Sequence, residues 1–470
     1  MGTDGNQLPT RSRKTRRSVL LADVAARLLI TLGGTGTILA VSLVCVFLAW
    51  VTVPLFRGAI VTPAGGFTPE HHADTGATSA RPIQLAIDEH QVIAWELFED
   101  GTLVSFRADT GEELERRALF AAGTLSAVGF AQREDDVVFG FVDGTGRFGR
   151  IAIETRFLPS EETAGPLHRL AAGERAVHGA GVVERTPEGQ FRQQRVRVTL
   201  EEPFALAAGV PIHLLDMSVR PSGPMVAAIT ADGTLHLKGV SRRRNLLTGE
   251  ETVTLSGGEV KLAVDSERGL PARLLLSGLG DTAYLAWPDG DVHRFDARDI
   301  RQPALAETIS VLEPGTGAEL TALGFLIGKA TVITGDSEGR VRAWFRTRPD
   351  QADTPDGAIV VAAHDLPGDG AAATALAASA RKRMLAVGYA DGSVRLFHVT
   401  AGRLLATIPA TEPGPVRALA LAPKDDGLLV ANDHGLRRWA LDAPHPEVTL
   451  GVLFRPVWYE GQTGPIHSWQ

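Results

Sequence analysis

Positions 28–56 carry no Asp, Glu, Lys or Arg, while the 414 residues after them alternate apolar and polar positions in short runs. The apolar run is 29 residues long. As a helix rising about 1.5 Å per residue it reaches about 44 Å, more than the ~30 Å hydrocarbon core of a bilayer requires. The pattern predicts one transmembrane helix over 28–56. A cleaved signal peptide has an apolar core of only ~7–15 residues and a small-residue cleavage site. This run is longer, and no A-x-A pattern closes it. Leu43-Val44-Cys45 matches a lipoprotein signal only in part, because the apolar positions continue for eleven residues past Cys45. Gly33, Gly36, Thr37 and Ala40 place small residues where helices in bilayers pack closely, although Gly is common in membrane helices in any case.

From about Arg81 a repeat takes over. Its unit is an apolar strand, a short turn carrying Gly, then a strand of alternating apolar and polar residues. The clearest copy is Met384-Leu385-Ala386-Val387-Gly388-Tyr389-Ala390, then Asp391-Gly392, then Ser393-Val394-Arg395-Leu396-Phe397. Asp-Gly is expected to supply the positive φ angles of a tight two-residue hairpin. The device recurs at Asp100-Gly101, Asp143-Gly144, Asp232-Gly233 and Asp289-Gly290, and in looser form at Asp336-Ser337-Glu338-Gly339 and Asp433-His434-Gly435. An aromatic follows four or five residues after most of these glycines: Phe106, Phe148, Phe295, Trp344, Phe397 and Trp439.

Most gaps between successive turn glycines are 43–57 residues, which fits the ~40–50-residue period of four-stranded propeller blades. The gap from Gly144 to Gly233 is 89 residues. It holds Pro187-Glu188-Gly189 between two strand-like runs, 181–183 and 195–200. Long strands inserted in the second blade are preferred over an eighth blade, because no convincing inner strand precedes Ala176. The expected fold is all-β: a WD40-like β-propeller of seven blades, eight being the alternative, behind a single transmembrane helix. The expected division is a basic cytoplasmic segment 1–27, the helix 28–56, a linker 57–80 rich in Gly and Pro, a propeller 81–450, and a segment 451–470 returning toward the membrane.

Charge orients this arrangement. Arg11, Arg13, Lys14, Arg16, Arg17 and Arg27 precede the helix, opposed by Asp4 and Asp23. Basic flanks stay cytoplasmic, so the N-terminus is expected inside and the propeller outside. The net charge is −8, and the outer part is more acidic still, which argues against nucleic acid as a partner. The one cysteine, Cys45, lies in the membrane run, so no disulfide framework or Cys-based metal site is expected outside it.

No catalytic, cofactor-binding or metal-binding residue is singled out, the ligand-binding residues stay unknown, and no enzyme is expected. H-E-x-x-H, G-x-S-x-G and P-loop patterns are missing; Gly324-Phe325-Leu326-Ile327-Gly328-Lys329 has the wrong spacing. Gly33-Gly34-Thr35-Gly36 lies inside the apolar run with no strand before it. No D-x-D-x-D-G with a later Glu makes the Asp-Gly turns calcium loops. His236, His293, His398 and His434 are expected to support the hairpins structurally. His71-His72, in the linker, and the clusters Arg242-Arg243-Arg244 and Arg381-Lys382-Arg383 are read as solvated, with anion binding as the minor alternative for the two clusters.

The two ends carry a further signal. Val53-Pro54-Leu55-Phe56-Arg57-Gly58-Ala59 follows the helix, and Leu453-Phe454-Arg455-Pro456-Val457-Trp458-Tyr459-Glu460-Gly461 precedes Trp469-Gln470. Together with Ala26-Arg27-Leu28-Leu29-Ile30-Thr31-Leu32-Gly33-Gly34, this resembles the large, PstC-like form of the phosphate ABC-transporter permease subunit. That resemblance implies a transmembrane helix ending in a "PLF" segment, a WD40-like periplasmic insertion, and a return to the membrane through a "VWYEG…WQ" segment. It implies as partners the remaining permease subunits, their ATPase and a periplasmic phosphate-binding protein. The chain departs from the family after the propeller: no second apolar run of membrane length follows Phe56. It is therefore expected to form no channel by itself, as a truncated or split permease or an anchored accessory domain. The expected role is interaction or support of phosphate transport; the alternatives are an anchored scaffold or sensor in envelope assembly, then a propeller enzyme.

Overall fold

The computed structural model describes residues 17–52, 60–67, 81–131, 135–159, 162–163, 165–244, 251–263, 267–368, 370–411 and 414–442. The chain divides into two units, 1–58 with 443–470, and 59–442. His71-His72 and the flanking motifs at 53–59 and 451–470 lie outside the described residues.

In the first unit the described element is one helix, Arg17–Thr52, long and apolar enough to cross a membrane by length and composition. It starts before the expected position 28. Ala and Leu dominate the extra turns, and Asp23 pairs with Arg27 one turn on at 3.2 Å, both of which favour helix. The Thr37 hydroxyl donates to the Gly33 carbonyl at 2.9 Å, so this polar group brings its own partner into an apolar run.

The second unit is a β-propeller whose described strands form seven antiparallel sheets, numbered here in ring order: 82–118, 125–205, 212–261, 273–310, 320–366, 373–408, and 418–442 completed by Ile60–Phe67. Their second strands are apolar on both faces, and the alternation sends each face to a different neighbour. In sheet 3, Met225, Ala227 and Ile229 pack toward sheet 4, while Val226 and Ala228 pack toward sheet 2. Seven such inter-sheet cores follow one another, and the last joins sheet 7 to sheet 1 through Ala418, Ala420, Leu429, Leu85 and Phe106. The ring is thus closed by packing, and no sheet buries both faces alone.

The aromatics after the turns sit on third strands and fill these cores; Phe106, Phe148, Phe295, Trp344, Phe397 and Trp439 are all buried. Sheet 3 has Leu237 at the matching place, also buried. The turns differ in type from the expected two-residue hairpin. Only the glycines take positive φ, from 79° at Gly144 to 88° at Gly392 among the Asp-Gly copies. The Asp instead accepts hydrogen bonds from the chain two residues on: Asp391 Oδ1 takes Ser393 N–H at 2.9 Å and the Ser393 hydroxyl at 2.7 Å. A three-residue loop of this kind places one glycine in the left-handed region, and the carboxylate rather than a second positive φ fixes the bend.

Two boundaries change. Residues 60–67, expected as linker, form the outer strand of sheet 7, paired with Gly435–Asp442 from Ile60↔Asp442 to Phe67↔Leu436. Pro63 and Gly65-Gly66 make this stretch read as a linker, but an outermost strand needs no second ladder, and a register shift between Pro63 and Gly65 absorbs the irregularity. The propeller strands therefore begin at 60, not 81, and the last described one ends at Asp442. The long second gap builds onto sheet 2. Thr145–Phe157 and Phe191–Leu200 pair along Gly149–Phe157, and Gly181–Arg185 and Arg175–His178 extend that sheet outward. A small core of Leu158, Leu167, Leu170, Val183 and Phe191 holds the extension.

Candidate functional site

Strand direction sorts the turns onto two faces of the ring. Turns between second and third strands share one face; turns between first and second strands share the other. The Ile60↔Asp442 pairing puts both ends of the propeller on the second of these faces. The first face is acidic. Its turns carry Glu99-Asp100, Asp143, Asp232, Asp289, Glu338, Asp391 and Asp433, and the basic residue among them, Arg340, pairs with Glu313. Asp232 is held below the usual carboxylate range by the Thr230 hydroxyl and by Lys261.

Three polar clusters bind sheets to one another. The first gathers four sheets around Lys329, whose backbone has φ +46° in the turn after the inner strand of sheet 5. Its ammonium donates to Phe130 O at 2.7 Å, Met217 O at 3.1 Å and Asp216 Oδ1 at 3.2 Å. Asp216 Oδ2 accepts Leu276 N–H at 2.6 Å, so sheets 2, 3, 4 and 5 meet at one ion pair. Burial pushes the Asp216 carboxyl up, against the opposing pull of Lys329 and the N–H groups of Leu276 and Met217.

The second cluster locks sheet 4 to sheet 5. Arg294 is fully buried. It grips Asp356 with two bonds of 2.6 and 3.0 Å, and also donates to Glu307 at 3.0 Å and Ala358 O at 2.6 Å. Burial pushes Asp356 up, but Arg294 outweighs it and holds the carboxyl at about 2.

The third cluster lies where sheet 7 meets sheet 1 and the extension of sheet 2. Asp88 accepts Val92 and Ile93 N–H at 2.5 and 2.8 Å and the Gln194 amide at 2.6 Å. Arg192 approaches His90 Nε2 at 3.0 Å, which requires that nitrogen to accept, and also pairs with Glu184. His90 is lowered by burial, then by Arg192 and Lys424. Gln91 reaches Asp426 of sheet 7 at 3.0 Å. These groups are spent on one another, which is the chemistry of a brace.

The residues singled out in the sequence fall as follows. His236 touches the Thr230 hydroxyl at 3.4 Å, and Thr230 bonds the turn residue Asp232. His293 instead packs against Trp287 with the rings tilted by 55° and their centroids 4.6 Å apart. His398 precedes a short 3-10 turn, and His434 donates its backbone N–H to Asn432 in the turn of sheet 7. Arg381, Lys382 and Arg383 are exposed in a turn on the face that bears the chain ends. The side chains of Arg242, Arg243 and Arg244 lie outside the described residues. Among the described residues, no group of three or more His, Cys, Asp or Glu side chains is placed to hold a metal ion. Lys329, rejected as a phosphate-loop lysine, proves to be the centre of the four-sheet cluster; nothing in its local sequence points to its distant partners.

No family model and no curated protein matches the sequence. Among solved structures the chain is similar to the β-propeller domain of Cps50 (Swd1) from Myceliophteria thermophila, at 10% identity over 81% of this chain and 99% of that one, with a TM-score of 0.47. It is also similar to the computationally designed Ika8 protein, at 20% identity over 78% of this chain and 98% of that one, with a TM-score of 0.43. Both scores are below 0.5, so the class rests on the sheet topology above: a β-propeller with one N-terminal apolar helix.

Proposed function

We propose that the chain is a membrane-anchored periplasmic propeller of a phosphate ABC-import permease, acting through protein interaction or support of the transporter, with no catalytic role and no cofactor. The observation that carries this reading is the direct pairing of Ile60 with Asp442. Opposite partners in an antiparallel ladder are ~4.5–5.5 Å apart, so the propeller occupies its host as a loop with adjacent ends. That is what an insertion between two membrane segments requires, and the sequence flanks at 53–59 and 453–461 are similar to those of the permease family. The partners are then the remaining permease subunits, the ATPase and the periplasmic phosphate-binding protein. The test is affinity purification of the full chain in mild detergent, with phosphate uptake measured in a strain lacking the propeller. Co-purification with permease subunits and reduced uptake are expected. A free monomer together with unchanged uptake would overturn the reading in favour of an anchored scaffold unrelated to phosphate.

A further inference from the structure

We propose that the mouth of the central channel on the acidic face binds a partner peptide through a carboxylate seated on Arg273, with basic residues of the same peptide meeting the acidic turns around it. The proposal rests on the interaction role above, not on the phosphate transporter, and adds the surface and the chemistry of the partner. The first strands of the sheets line the centre of the ring and start on the acidic face. Near those starts stand Ser126, His213, Arg273 and Arg417, all exposed, with Thr321 and Thr374 half-buried between the last two. The other end of the channel is crossed by Lys329, which leaves sheet 5 to reach Phe130 O of sheet 2 and Met217 O of sheet 3. The acidic face is therefore the open approach.

Arg273 is the donor left over at this mouth. The Ser126, Thr321 and Thr374 hydroxyls each donate to a glycine carbonyl of their own sheet, at 3.1, 3.1 and 3.2 Å. Arg417 is held by Asp433 in two bonds of 2.8 and 2.9 Å. His213 Nε2 lies 3.2 Å from Pro271 O, so it donates there. Arg273 donates to Ala272 O at 2.9 Å and to Thr321 O at 3.3 Å, which uses two of its five N–H groups and fixes the guanidinium across sheets 4 and 5. Among the described residues no carboxylate pairs with it, and burial lowers two guanidinium groups, Arg438 and Arg273. Asp109 opposes the effect at Arg438; nothing opposes it at Arg273. An exposed cation walled by protein and without a counter-ion favours an anion brought from outside. Charge around the mouth decides which anion. Asp232, Asp289 and Asp433 already hold cations, but Asp100, Asp143, Glu319 and Asp391 are exposed and make no ion pair among the described residues. This ring repels a free multivalent anion and attracts cationic side chains. A carboxylate flanked by lysine or arginine in one peptide satisfies both fields.

The test measures binding of two dye-labelled peptides to the full chain in mild detergent by fluorescence anisotropy: Lys-Lys-Gly-Glu-Gly-Lys-Lys, and the same peptide with Gln at its centre. The Glu peptide is expected to bind roughly tenfold tighter, the effect of one hydrogen-bonded charge pair. Arg273→Gln should remove that difference, Arg273→Lys should keep part of it, and Arg381→Gln, on the other face, should leave it unchanged. Each variant alters an exposed side chain, and its thermal transition is compared with the parent's to confirm folding. Equal affinity for the two peptides in the parent, or an undiminished difference in Arg273→Gln, overturns the inference. So does binding of inorganic phosphate that is lost in Arg273→Gln while the two peptides bind alike, which assigns the site to a free anion. These outcomes leave co-purification with permease subunits and phosphate uptake as separate tests of the reading above.

Discussion

Lys329→Met removes the ammonium that joins Phe130 O, Met217 O and Asp216, and leaves a carboxylate only 6% exposed with two N–H donors. Breaking a buried ion pair from one side costs about 3–5 kcal/mol, because the remaining charge stays desolvated. The propeller unit, 59–442, has 384 residues. At ~2.1 cal/mol/K per residue its unfolding entropy is about 0.8 kcal/mol/K, so the loss lowers Tm by about 4–6 °C. The pH dependence identifies the cause. Burial already raises the Asp216 carboxyl in the folded state, and removing Lys329 raises it further. A raised folded value favours the protonated acid, so this stability is present below the unfolded value near 4 and is lost as pH rises through the folded one. The deficit of Lys329→Met is therefore smaller at pH 5 than at pH 8 in urea unfolding. Asp216→Asn in the same chain should recover most of it, since no charge is then stranded. A deficit under about 1 kcal/mol, or one equal at both pH values and unrelieved by Asp216→Asn, would refute the assignment of this pair as a four-sheet clamp.

Arg294→Met strands Asp356 and Glu307 and should cost about 3–5 kcal/mol by denaturant unfolding. Asp356 at about 2 is depressed from its ordinary 3.8, so its contribution is present above pH ~4 and fades as pH falls through 2; Asp356→Asn should flatten that part of the acid-unfolding curve. His90 is lowered, so the neutral ring favours the fold: stability should fall as pH drops below ~6.5, and His90→Gln should reduce that slope in thermal melts. Gly392→Ala places a side chain at φ +88°; it should cost at least about 1 kcal/mol, while Asp391→Ala, which removes only the turn's hydrogen bonds, should cost about 1 kcal/mol or less in urea melts. Thr62→Cys with Ala440→Cys, in a Cys45→Ala chain, should crosslink on oxidation within one chain, read as a gel-mobility shift reversed by reductant.

Local signals made the propeller legible. Asp-Gly turns, the aromatic on the third strand and the two-residue alternation are each set within about ten residues of chain, and the doubled gap announced the extension of sheet 2. The closing strand was not legible. Pro63, Gly65 and Gly66 carry the composition of a linker, and only the distant partner Gly435–Asp442 makes a strand of them. The polar clusters were hidden for the same reason. Lys329 and Asp216 lie 113 residues apart, and Arg294 and Asp356 lie 62 apart, with no spacing rule to connect them. The turn type was misjudged because Asp-Gly suits two loops equally well by composition. The side-chain bonds of Asp391 and its counterparts decide between them.

The topology proposed above, in which one helix displays the propeller on the outer side of the cytoplasmic membrane, is open to a direct test. Single cysteines at Ser12→Cys and Asp391→Cys, each in a Cys45→Ala chain, can be probed in spheroplasts with a membrane-impermeant maleimide. The account predicts labelling at 391 in intact spheroplasts, and at 12 only after permeabilisation. Labelling at 12 before permeabilisation, or protection of 391 until then, would contradict it.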